Sequence, residues 1–261
     1  MKRLFMVMFV LIAAGFVRGD AGVTSAQDPL VLLLPLTARS QNTSLTPDDR
    51  EVDRVQAMVL QSKKEGEQFS KSGGKASDPK HPNLKWAAKL WRYRDKHPGT
   101  PATTIATAEA LRLLARVDRL SEMQLKADTL KLGDPAWKRV IYVLMTAAIK
   151  VKDYSYFISK AEALAQGAVD TEIKARARFS IGEAYWKKGD IEQARIAFQA
   201  VLTQYPETTY GKEAEGNLWE IEFLNPGQAA PLFERTTING DPISLASFKG
   251  KVVVLKFWGT Y

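Results

Sequence analysis

Thiol chemistry is closed to this chain, because its 261 residues include no cysteine and hence no thiolate nucleophile, disulfide or thiolate metal site. Its two histidines, His81 and His97, each stand before a proline with no second histidine or acidic partner at ligand spacing, so no metal site is expected. Gly250-Lys251 precedes an extended run instead of joining a strand to a helix, which excludes a phosphate loop. No Ser/His/Asp arrangement and no paired carboxylates stand out, and nothing in the sequence requires a cofactor.

The segment closest to chemistry is the last one. At Leu224 the pattern turns from helical to extended. A connector through Pro226, Gly227 and Pro231 leads to two short extended segments, Phe233 to Ile238 and Pro242 to Leu245. Between them stands Asn239-Gly240-Asp241, and Asn-Gly is the favoured pair for a tight hairpin turn with both central residues at positive φ. The run Val252 to Trp258 reads as a strand apolar enough to be buried on both faces.

In this order, Gly227, Ala230, Pro231, Phe233, Gly240, Leu245, Phe248, Gly250, Lys251, Val252 to Leu255 and Phe257-Trp258 closely resemble the start of the TlpA/ResA-like thiol–disulfide oxidoreductases. These belong to the wider alkyl hydroperoxide reductase/thiol-specific antioxidant superfamily. The resemblance covers residues 224–261. It implies an incomplete α/β thioredoxin-like fold whose Cys-x-x-Cys would follow Phe257, Trp258, Gly259, Thr260 and Tyr261. In such a fold a buried strand delivers the first cysteine to a helix N-terminus, where the dipole favours the thiolate, and the second cysteine resolves the mixed disulfide. No redox residue is present here, so this chain by itself is expected to be inactive. A hairpin with one strand also cannot cover its own apolar faces, so residues 246–261 are expected to pack poorly or to dock opportunistically.

Upstream, the sequence calls for helices. Leu84 to Leu224 carries successive amphipathic patterns with short connections and no strand signal, which predicts antiparallel helix pairs. One face is marked by Trp86, Leu90 and Trp91 and ends before the breaker run His97-Pro98-Gly99-Thr100-Pro101. Leu113, Val117 and Leu120 mark the next helix. Asp134-Pro135 opens another with Trp137, Ile141, Leu144 and Ala148, and Asp153 a further one with Tyr154, Phe157, Ala161 and Leu164.

The clearest unit spans residues 175–208, with Ile181-Gly182, Tyr185, Gly189-Asp190, Ala194, Phe198 and Pro206 in sequence. Gly182 would let two helices approach, Tyr185 and Phe198 would fill the space between them, and Gly189 would end the first. Asp190, with Gln193 at the capping-box position, would cap the second, and Pro206 would end it. This spacing resembles the tetratricopeptide repeat, and a stack of such repeats would offer a concave face to exported clients or a redox partner. The aromatic positions are read as core.

The remaining divisions are 1–26, 27–83, 84–223 and 224–261. Lys2 and Arg3 before the apolar stretch Leu4 to Val17, with Thr24-Ser25-Ala26 preceding Gln27, form a secretory signal pattern. The protein is therefore expected to be exported to the periplasm or cell envelope, membrane-bound only if that segment stays uncleaved. Leu30 to Leu36 reads as a docking segment or strand. Thr46-Pro47-Asp48-Asp49 starts a helix with Val52, Val55 and Val59 on one face, and Ser62 to Pro82 reads as a flexible linker. The net charge of +8 is spread among acidic residues without regular aromatic spacing, which argues against nucleic-acid binding.

Three functions follow as expectations. The first is a fragment of an exported thiol–disulfide oxidoreductase with helical repeats for partner binding. The second is a fragment of a peroxiredoxin-like antioxidant peroxidase, and the third a non-enzymatic repeat adaptor.

Overall fold

The computed structural model describes residues 46–224 and 226–256. The signal pattern, Leu30 to Leu36 and the terminal run Phe257 to Tyr261 lie outside the described residues. Contacts divide the chain into one unit containing residues 46–214 and another containing residues 215–256.

The first unit is helical. Helix α1 (Pro47–Lys71) starts at a reciprocal capping box: the Thr46 hydroxyl accepts from the Asp49 N–H, and the Asp49 carboxylate accepts from the Thr46 N–H. It continues ten residues beyond where a linker was expected. Lys63, Lys64, Glu65, Glu67 and Gln68 are straight-chain residues that lose little rotamer freedom in a helix, and Ser62 is buried on its inner face. Only residues 72–81 connect it to α2 (Pro82–Lys96). Trp86 Nε1 donates to Glu65 Oε2 at 2.8 Å and Tyr93 Oη donates to Glu51 Oε2 at 2.7 Å, so two hydrogen bonds fasten α1 along α2.

The breaker run separates α2 from α3 (Pro101–Arg116), whose Thr100 cap accepts from the Thr103 N–H. Helix α3 buries Ala102, Ala106, Ala110, Leu111, Leu113 and Leu114 and packs against α1, α2, α4 (Leu120–Asp128) and α5 (Trp137–Val151). The predicted helix through Leu113, Val117 and Leu120 is in fact two. Val117 ends α3, Asp118 turns into the left-handed region at φ 60°, and Leu120 begins α4. Asp134 does not cap α5 directly; its carboxylate accepts from the Ala136 N–H, and the helix begins at Trp137.

Helix α6 (Ser155–Gly167) follows Asp153, which accepts from the backbone and hydroxyl of Ser155. Helices α7 (Thr171–Lys188) and α8 (Ile191–Gln204) are joined through Gly189, at φ 83° in the left-handed conformation that glycine adopts without steric cost. Asp190 caps α8 by accepting from the Gln193 N–H. Helix α9 (Thr209–Phe223) runs across the boundary between the units. Successive helices α2/α3, α6/α7 and α7/α8 pack together, and α3, α5 and α7 pack in turn as an inner row.

In the second unit, β1 (Glu234–Thr236) and β2 (Pro242–Ser244) pair antiparallel with Arg235 opposite Ile243. The hairpin is where it was expected, but its turn differs. Gly240 alone has positive φ, Gly240 N–H donates to Thr237 O, and the loop is Ile238-Asn239-Gly240. The Thr237 hydroxyl accepts from the N–H groups of Asn239 and Asp241, which favours this three-residue loop over a two-residue turn. Leu245–Phe248 forms a 3-10 turn. The expected buried strand is not formed over residues 252–256: Val252 is 87% and Val254 66% exposed. Among the described residues, no neighbouring strand offers backbone partners or cover there, as the expectation of poor packing had it.

Candidate interaction surface

Of the expected repeat residues, Gly182, Ala194 and Phe198 are brought together between α7 and α8. A Cβ on Gly182 would lie 2.6 Å from Phe198 Cε1, so the absence of a side chain is what allows this approach. Phe198 and Ala194 are fully buried. Phe179 (centroids 5.3 Å) and Trp186 (6.1 Å, edge-on) complete the aromatic cluster around Phe198, and neither was singled out from sequence. Tyr185 does not sit wholly between the pair. It is partly buried and lines a shallow groove of about 250 Å³ with Glu162, Arg178, Ile181 and Ile196. Pro206 follows the Tyr205 cap of α8 and is exposed.

The inner row gathers charge that no local pattern announces. Arg112 of α3 is ion-paired with Glu109 one turn earlier. Arg176 of α7 donates from Nη1 to the Lys138 carbonyl at 2.6 Å, and its guanidinium stands 5.7 Å from the Tyr210 ring centroid. Arg139 of α5 feels the charge of both. Burial pulls the Arg139 pKa down; Glu109 opposes that, while Arg112 and Arg176 add to it. The Arg139 N–H donates to the Ala136 carbonyl at 2.9 Å, and Glu109 is the carboxylate whose charge acts on its guanidinium. Farther along α7, burial raises the Glu183 pKa against the Ser180 hydroxyl, with Glu213 adding repulsion, and burial likewise raises that of Glu213.

A second concavity of about 550 Å³ lies where α2 meets the start of α3, lined by Arg94, Thr100, Thr103, Lys131 and Asp134. Arg94 is already engaged by Asp95 at 3.0 Å and Asp134 at 3.4 Å. The histidines serve the helices. His81 caps α2 by accepting at Nδ1 from the Asn83 N–H, and burial lowers its pKa; His97 stacks on Tyr93 with centroids 4.4 Å apart. Among the described residues, no group of three or more His, Asp or Glu could hold a metal ion, and no helix is long and apolar enough to cross a membrane.

No family model, curated protein or solved structure matches the chain. Those expected to lead into a redox turn, Phe257, Trp258, Gly259, Thr260 and Tyr261, lie outside the described residues. What the described residues offer is a mainly helical array with one charged inner face.

Proposed function

We propose that this chain is the partner-holding, helical-repeat part of an exported thiol–disulfide oxidoreductase of TlpA/ResA type, with residues 224–261 as the opening of its thioredoxin-like domain. The observation that carries the redox half is the ordered run from Gly227 through Val252-Val253-Val254-Leu255 to Phe257-Trp258. A hairpin at 234–244 in the middle of that run supports it. The close approach of Gly182 to Phe198 supports the reading of α7 and α8 as one tetratricopeptide-like unit, whose role is packing. The N-terminal signal pattern supports an exported location, where disulfides persist.

Reading the gene past the codon for Tyr261 tests the proposal. A Cys-x-x-Cys on a strand-to-helix turn supports it. A lone cysteine would move the assignment to a peroxidase. A stop codon would leave a repeat adaptor without enzyme chemistry.

A further inference from the structure

The hairpin of the second unit carries covalent chemistry that goes beyond the redox reading and holds whatever follows Tyr261. Its loop, Ile238-Asn239-Gly240, is exposed at every residue. A Cβ on Gly240 would meet nothing within 4 Å, so open space surrounds the backbone nitrogen that follows the Asn239 amide. Glycine, having no side chain, neither shields that nitrogen nor resists the bend that brings it to Asn239 Cγ. The other asparagines among the described residues are placed differently. Asn83 is buried in α2 before Leu84, whose N–H is held by the His81 carbonyl at 3.0 Å. Asn217 is half-buried in α9 before Leu218. Both precede a bulky side chain within a helix, and asparagine is among the thermolabile residues only where its neighbour can reach it.

We propose that Asn239 is a site of spontaneous deamidation and that isoaspartate formed there opens the hairpin. The Gly240 nitrogen gives its proton to water or hydroxide and attacks Asn239 Cγ. The new C–N bond closes a cyclic imide, and the side-chain nitrogen leaves as ammonia. Water then adds to one imide carbonyl and breaks its bond to the Gly240 nitrogen, which regains its proton. Opening at Cγ leaves aspartate; opening at the main-chain carbonyl leaves isoaspartate, with the main chain routed through Cβ and Cγ. No oxidant or reductant takes part. The closed loop slows the first step, because the Gly240 N–H donates to Thr237 O at 3.0 Å. Reaction therefore proceeds through local opening, which a hairpin of three residue pairs allows. Isoaspartate inserts a methylene into a loop closed by Thr237 N–H to Asp241 O at 2.8 Å and Asp241 N–H to Thr237 Oγ1 at 3.1 Å. It also places a carboxylate, ionised at neutral pH, beside Asp241. Lengthening and repulsion both act against reclosure.

The test ages the full chain for weeks in mildly acidic and in mildly alkaline buffer and follows the tryptic peptide Thr236–Lys249, in which Asn239 is the only asparagine. Chromatography with mass spectrometry should show loss of the parent peptide and growth of two products of the acid mass, one aspartyl and one isoaspartyl. Loss should be faster in the alkaline buffer, where more of the nitrogen is deprotonated, and faster again in urea, which opens the loop. Asn83 and Asn217 should keep their amides in the folded chain. Hydrogen exchange at the Thr237 and Gly240 amides should be slow in the fresh chain and fast in the aged one. Asn239→Gln, aged alongside, should keep the slow exchange of the fresh chain. An intact Asn239 amide after alkaline ageing, equal conversion at Asn83 or Asn217, a rate indifferent to pH, or unchanged exchange in the converted chain would each overturn the proposal. None of these results bears on what the gene encodes after Tyr261, so the redox reading stands or falls separately.

Discussion

Gly182 and Phe198 approach so closely that a single added methyl group on the glycine would sit 2.6 Å from the phenylalanine ring. Phe198 cannot yield readily, because it is fully buried among Phe179 and Trp186. Alanine at a helix interior would ordinarily gain about 1 kcal/mol over glycine. Here overpacking, at about 1–3 kcal/mol, outweighs that gain. Gly182→Ala is therefore expected to lower the melting temperature, and adding Phe198→Leu to recover part of the loss. Gly216→Ala on α9, where nothing lies within 4 Å, should be neutral or stabilising. A stabilised Gly182→Ala would contradict the close helix contact.

Trp86 and Glu65 give a second prediction, about the segment that reads as a linker. Trp86→Phe removes the hydrogen bond to Glu65 and should cost about 1 kcal/mol in chemical denaturation. Limited trypsin digestion should spare Lys63 and Lys64 within α1 and cut first at Lys75 or Lys80, which lie in the connection to α2. Early cleavage at Lys63 would show that α1 does not extend through that region.

Tyr93 predicts an alkaline signature. Burial, with the Glu51 hydrogen bond adding to it, raises its pKa from 10.0 to about 12. A raised folded-state value means that the neutral phenol is the stabilised form. Its contribution is complete below pH 10 and is lost as pH rises through about 12. The stability difference between the native chain and Tyr93→Phe, followed by far-UV circular dichroism, should be constant up to pH 10 and shrink above it. A difference that grows with pH would contradict the assignment.

The exposed run at residues 252–256 predicts rapid amide exchange there, against slow exchange in α3 and α5, whose side chains form the core. Protection of the Val252 to Leu255 amides in a monomeric sample would mean that the strand finds a partner.

Much of the helical framework was legible because caps are local. Thr46-Pro47, Thr100-Pro101 and Gly189-Asp190 each announce a boundary within four residues. The Gly182–Phe198 contact was legible through the resemblance of residues 175–208 to the tetratricopeptide repeat. The continuation of α1 was not, because Lys-, Ser- and Gly-rich composition reads as a linker while the deciding bond reaches 21 residues ahead to Trp86. Tyr185 was placed between α7 and α8 by analogy with the repeat, yet it also faces Glu162 and Ala165 on α6. Asn239-Gly240 signalled the hairpin, but the Thr237 hydroxyl selects the longer loop. The mutual influence of Arg112, Arg139 and Arg176 was invisible for a simpler reason: they are far apart in sequence, on α3, α5 and α7, which pack in succession.

Insulin reduction by dithiothreitol tests the central claim most directly, with the 261-residue chain and the product of the whole reading frame assayed side by side. The chain, which has no thiol, should leave the rate at that of the reductant alone, and the whole product should accelerate it. Acceleration by the chain, or an inert whole product, would contradict the account.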